Sequence, residues 1–181
     1  LEDKEIFVRG LINIPVDEIY IEGFLKSTED NITNLLENLG YMNAEVSTSK
    51  EINEKEKNVS LTLFVDPGQR AMVNRISFEG NERTHDVVLR REMRQMEKSW
   101  ISNNLLDNSK LRLDRLGFFK SVDYEKKSVP GSTDEVNVIF KVEEQYSGSI
   151  GGSLGYGAYG FSLGANYSEK NAFGTGNTVS V

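Results

Sequence analysis

"RLGFF", residues 115–119, repeats "NLGYM", residues 38–42, at a spacing of 77 residues. The same offset lays "VNVIFKVE" (136–143) on "VSLTLFVD" (59–66) and "VVLRREMRQM" (87–96) on "GLINIPVDEI" (10–19), without gaps. In the last pair the apolar positions coincide: Leu11 and Ile12 match Val88 and Leu89, and Val16 and Ile19 match Met93 and Met96. A fixed-period self-match of this kind predicts two copies of one unit, each of about 75 residues.

The second copy carries every element. "MVNRISFEGN" (72–81) alternates as a strand. "THDVVLRREMRQM" (84–96) predicts a short helix capped by Thr84, burying Val88, Leu89, Met93 and Met96. On that helix Arg90, Arg94 and Glu97 point outward together, because they are spaced four and three apart. "SNNLLDNSKLRLDRLG" (102–117) predicts a second helix from a Ser102 cap to a Gly117 stop. "FFKSVDYEKKSV", a turn at Pro130 and Gly131, and "DEVNVIFKVEE" then form a hairpin. Strand, helix, helix, strand, strand is an α+β unit, with the helices on one face of a three-stranded sheet. Position 78 maps back to Leu1, so the first copy is expected to lack most of its opening strand. The chain thus divides into a first unit over 1–68, a complete unit over 69–145, and a tail over 146–181.

The tail has another composition. Between Ser147 and Val181 only Glu169 and Lys170 are charged, and nine of the chain's 16 glycines fall there. Ile150, Leu154, Tyr156 and Ala158 share one parity, and Gly151, Ser153, Gly155 and Gly157 the other. After a turn near Gly157 and Gly160 the odd positions become apolar: Tyr159, Phe161, Leu163, Ala165 and Tyr167. Period two means strands. Two strands of about ten residues with one greasy face and one small polar face fit a membrane β-barrel, lipid outside and water within. A soluble hairpin is the competing reading, although it would place charge on its outer face. "NAFGTGNTVSV" then turns into a third strand on which Val179 and Val181 share a face.

Several classes of function are disfavoured. A net charge of −7 argues against nucleic-acid binding, which rests on cations neutralising phosphate. The absence of cysteine removes disulfides, thiolate metal sites and thiol nucleophiles. No apolar run of about 18 residues exists to span a bilayer as a helix. No leader is visible, and the start on Leu1 is expected to lie inside a longer protein. His85, the single histidine, has no identifiable catalytic partner, and Trp100 is expected to pack. No acidic segment has calcium-ligand spacing, so neither an enzyme nor a metal or cofactor site is expected. A hydrolase carried on a barrel is the enzymatic alternative.

The tandem units feeding into glycine-rich strands resemble the POTRA-domain family of outer-membrane β-barrel assembly proteins. The resemblance rests on "FEGN" (78–81), "VLRREMRQME" (88–97) followed by Trp100, "RLGFF", "VPGS" (129–132) and "GTG" (174–176). It implies the last two POTRA domains and the first two to three strands of an outer-membrane barrel. The implied role is non-enzymatic: inserting β-barrel clients into the bacterial outer membrane, with the POTRA domains in the periplasm. Implied partners are outer-membrane assembly lipoproteins, unfolded β-barrel substrates and outer-membrane lipid. The lipoprotein surface would be Arg90, Arg94 and Glu97, with Glu97 anchoring a basic partner residue. Reversing the charge of so exposed a Glu97 is then expected to change stability by under about 0.5 kcal/mol. The first barrel strand, through Ser149, Gly151, Gly152, Ser153, Leu154, Gly155 and Tyr156, would open a seam and template client strands. Small residues there could equally just relieve crowding in a lumen; the resemblance favours the seam. A secretion pore of the same superfamily is the alternative function.

Overall fold

The computed structural model describes residue 12 and residues 21–181. Apart from residue 12, the segment 10–19 lies outside the described residues, as does the opening strand of the first unit.

The first unit shows a helix α1 (Glu22–Asn38) and a hairpin of β1 (Glu45–Asn53) and β2 (Asn58–Asp66), paired along their whole length. Leu25, Thr28, Ile32 and Leu36 are the buried positions of α1, a stripe at helical period. Thr28 tolerates burial because its hydroxyl donates to the Phe24 carbonyl one turn back.

The second unit runs β3 (Met72–Glu79), α2 (Asp86–Arg90), α3 (Asn103–Arg115), β4 (Phe119–Ser128) and β5 (Glu135–Glu144). The sheet order is β3-β5-β4, with β5 parallel to β3 and antiparallel to β4. Because β5 is central, its alternating Val136, Val138, Phe140 and Val142 are all buried. They meet Leu106 and Leu113 of α3, which are wholly inaccessible, and Val88 and Leu89 of α2. Both repeated Leu-Gly pairs end a helix in one way: Gly40 (φ +101°) and Gly117 (φ +74°) take the left-handed conformation after α1 and α3.

The two units are joined by more than a linker. Ser102 occupies the cap position of α3, but its side chain does not cap that helix; its hydroxyl donates to Asn38 Oδ1 at 3.1 Å. The same oxygen accepts the Asn104 amide at 2.7 Å, so the last residue of α1 caps the helix of the next unit. Arg70 completes the joint. Its Nε donates to the Leu39 carbonyl at 2.7 Å, and its guanidinium lies 4.3 Å over Trp100 and 5.5 Å from the Tyr41 ring centre.

Beyond β5 the chain forms a three-stranded antiparallel sheet of β6 (Gly148–Gly157), β7 (Gly160–Ala172) and β8 (Asn177–Ser180). Pairing of β6 with β7 is continuous and closes over the two residues 158–159, with Gly160 at φ +110°. Among the described residues no helix is long and apolar enough to cross a membrane.

Candidate docking edge and carboxy-terminal hairpin

The segment 84–97 differs from its sequence reading. The helix is only five residues long, Asp86–Arg90, and His85 rather than Thr84 sits at its cap position without a side-chain bond. Thr84 is instead buried, its amide donating to Glu144 at 2.7 Å and its hydroxyl oxygen accepting from Asn171 at 2.8 Å. Val88, Leu89 and Met93 are buried as expected, but Met96 is 60% exposed.

Two polar side chains explain the early stop. Ser109 of α3 accepts the Arg94 amide at 2.8 Å, removing it from any helical ladder. Gln95 is fully buried; its Nε2 donates to Met96 O, Ser99 Oγ and Trp100 O, and its Oε1 accepts the Ser102 amide. The backbone wraps around that one amide. What it gains is cover for the outer edge of β3, an exposed row of strand donors and acceptors. The Lys98 amide donates to Val73 O at 2.6 Å and the Val73 amide to Ser99 O at 2.9 Å, with Met72 and Trp100 bridged.

Arg90 and Glu97 finish the same edge with side chains. Glu97 Oε1 accepts the Ile76 amide at 2.8 Å, and Arg90 Nη2 donates to the Ile76 carbonyl at 3.0 Å. The two charges are 3.2 Å apart. The Ile76 amide, above all, holds the Glu97 carboxyl below the usual carboxylate range; burial opposes it next, and Arg90 adds to the lowering. So the structure brings Arg90 and Glu97 together, but as an edge-capping pair rather than as one free helical face. Arg94 lies past the helix end and is fixed through its backbone. The expectation that reversing Glu97 is almost neutral is therefore corrected: Lys there would orphan a strand amide and face Arg90. Neither Gln95 nor the Ile76 contact leaves a local signal in the sequence.

In the tail, Ile150, Leu154 and Tyr156 of β6 stand opposite Tyr167, Leu163 and Phe161 of β7. These six cover one face, and all are exposed, from 45% at Tyr167 to 85% at Ile150 and Leu163. The opposite face carries Gly151, Ser153 and Gly155 against Asn166, Gly164 and Ser162. It is closely fitted: a Cβ at Gly151 would fall 2.2 Å from Asn166 Oδ1, and one at Gly155 2.6 Å from Ser162 Oγ. The other edge of β6 pairs with no strand among the described residues.

The family model for POTRA domains, described as a surface antigen variable number repeat, matches residues 2–68 and 71–145. The chain belongs to the POTRA family. It is 34% identical over 175 residues to the outer membrane protein assembly factor BamA of Buchnera aphidicola subsp. Acyrthosiphon pisum, covering 96% of this chain and 28% of that protein. Its fold superposes on the crystal structure of BamA from Haemophilus ducreyi lacking POTRA domains 1–3 with a TM-score of 0.83 and 34% identity. That match takes in 94% of this chain and 32% of the other. CdiB from Acinetobacter baumannii gives a TM-score of 0.54 at 15% identity, over 99% of this chain and 34% of its own, and so shares the fold alone. The chain spans about a third or less of the length of each of these three proteins. The two POTRA repeats account for the 77-residue period.

Proposed function

We propose that this chain is the part of an outer-membrane β-barrel assembly protein where the last two POTRA domains enter the barrel. POTRA domains 1–68 and 69–145 would stand in the periplasm, and residues 146–181 would supply the first strands of the barrel. The observation that carries this reading is the β6–β7 hairpin: six large apolar side chains exposed on one face, small residues on the other, attached directly to a POTRA repeat. In water such a face is a liability; against lipid it is what a spanning strand requires. Two strands and part of a third are too few for a single-chain barrel, which begins at about eight.

The free edge of β6 suits the templating of clients. Main-chain hydrogen bonds to an added strand are indifferent to its side chains, so one edge serves many sequences. In lipid an unfilled edge costs several kcal/mol per group, so opening and filling must be coupled. Ser149, Gly151, Gly152, Ser153, Leu154, Gly155 and Tyr156 are the residues of that edge strand. Exposed Val87 and Met96, beside Arg90, Arg94 and Glu97, supply a mixed apolar and charged surface suited to an assembly lipoprotein. Such a partner must compete with Ile76 for Glu97 or bind the pair as it stands.

The test is a reversible disulfide joining β6 at Ser153 to the barrel's last strand in the full-length protein. Oxidation should stop the folding of client barrels, read as loss of their heat-modifiable gel shift, and reduction should restore it. Assembly at the normal rate in the locked protein would refute strand templating at this edge.

A further inference from the structure

The turn between β7 and β8 does not hang free below the sheet. The His85 amide donates to the Gly174 carbonyl at 2.9 Å, and Asn171 Nδ2 donates to the buried Thr84 hydroxyl at 2.8 Å. Asn171 Oδ1 meanwhile accepts the Gly176 amide at 2.8 Å, so one side chain both shapes the turn and grips the POTRA domain. Phe173, Gly174 and Gly176 all take positive φ, of 56°, 72° and 70°. The fit is close enough to exclude a methyl group: a Cβ at Gly174 would fall 1.9 Å from the Arg83 carbonyl oxygen. One at Gly176 would fall 2.5 Å from the Arg91 guanidinium and 3.0 Å from Val88. On the receiving side the carboxylate of Glu144, the last residue of β5, holds the Arg83 and Thr84 amides at 3.0 and 2.7 Å.

The POTRA domain is therefore attached to the sheet at two points, through residues 145–147 and through this turn. A single linker permits rotation; a second contact away from it removes that freedom. We infer that residues 171–177 form a docked latch that makes the second POTRA domain and the β6–β7 hairpin one rigid body, with Asn171, Thr84 and Gly174 as its positioning residues. The latch closes on the same short helix, α2, whose far end carries Arg90. Whatever holds the domain at Arg90 and Glu97 thereby also fixes the base of the hairpin.

The test reads a distance and not client assembly, so it stands apart from the templating proposal. Spin labels are placed on Ser128→Cys and Tyr159→Cys in the full-length protein in outer-membrane lipid vesicles, and their separation is measured by pulsed electron resonance. One narrow distribution is expected. Gly174→Ala and Asn171→Ala should broaden it severalfold, Thr84→Val should do likewise, and Thr84→Ser, which keeps the acceptor, should restore it. Gly157→Ala, on the same sheet but with open space around it, should leave it narrow. Amide exchange at His85 should accelerate about tenfold or more in the broadened variants while the central strand β5 stays protected. If Gly174→Ala fails to insert, as judged by its own gel shift, the milder Thr84→Val and Thr84→Ser pair decides. A broad distribution in the unaltered latch, or a narrow one retained in Thr84→Val and Asn171→Ala, overturns the inference.

Discussion

Glu97 accepts the Ile76 amide hydrogen at 2.8 Å across 21 residues of sequence, while Arg90 donates to the carbonyl of the same residue. Two side chains thus do for Ile76 what a neighbouring strand would do. A surface ion pair alone is worth little, about 0–1 kcal/mol. A strand amide bonded to a carboxylate is worth more, because removing the acceptor leaves the donor at a covered edge without a partner.

Glu97→Ala is therefore expected to lower the stability of the second POTRA domain by about 1–2 kcal/mol in urea unfolding. Glu97→Gln keeps an acceptor and should lose less than half of that, whereas Glu97→Lys, facing Arg90, should lose the most. Equal midpoints for the Ala and Gln variants would show that the Ile76 contact contributes nothing.

The same bond gives a pH dependence. The Glu97 carboxyl titrates lower in the folded protein than its ordinary value of 4.5, chiefly through the Ile76 amide. Its contribution is thus complete above about 4.5 and is lost as pH falls through the lower folded value. The stability difference between the parent chain and Glu97→Gln should shrink as pH is lowered from 6 toward 3, read from paired thermal melts. A difference that stayed constant over that range would mean the carboxylate is not preferentially ionised in the fold.

Some of this was readable from the sequence and some was not, for physical reasons. The 77-residue period, the Leu-Gly helix stops and the strand parity of the tail are regular patterns along the chain, and such patterns survive in one dimension. The length of α2 did not, because Leu, Arg, Glu, Met and Gln are all good helix formers. Covering the β3 edge outweighed that propensity, through a buried Gln95 that looks like any surface glutamine on paper. The Asn171 grip on Thr84 spans 87 residues and has no periodicity at all. The "FEGN" motif was readable as a motif but not as a reason. Gly80 sits at φ +90° with its α-carbon hard against β5.

Gly80→Ala tests that reason directly. A Cβ there would lie 2.0 Å from the Val142 carbonyl oxygen, and the oxygen belongs to the central strand, so it cannot move aside cheaply. Left-handed strain adds to the clash. A loss of roughly 2 kcal/mol or more is expected in urea unfolding. A loss under half a kilocalorie would show that β5 yields more easily than its buried packing implies.

The joint between the repeats rests on Asn38, whose side-chain oxygen caps α3 from the preceding unit. Asn38→Ala should cost about 1 kcal/mol, as cap deletions do, and should loosen the two POTRA domains relative to each other. Asn38→Asp keeps the oxygen at a helix amino end and should be neutral or slightly stabilising. Small-angle scattering of the tandem pair checks the geometry and chemical unfolding checks the energy. Identical scattering and unchanged stability in the Ala variant would remove Asn38 from the joint.

The two faces of the hairpin should respond oppositely to charge. Leu154 stands opposite Leu163 on the apolar face and is 75% exposed, while its neighbour Ser153 stands opposite Gly164 on the small face. If the apolar face meets lipid, Leu154→Arg places a cation in the bilayer and should destabilise the full-length barrel by about 2–4 kcal/mol at the midplane. Ser153→Arg turns its side chain toward the wet interior, where the long stem must find room beside Gly164 but the charge keeps its water. It should fold with a smaller loss. Reversible urea unfolding in lipid vesicles gives both values. Equal losses, or a larger one at Ser153, would mean that the apolar face does not contact lipid, and residues 148–172 would then have to bury it against protein.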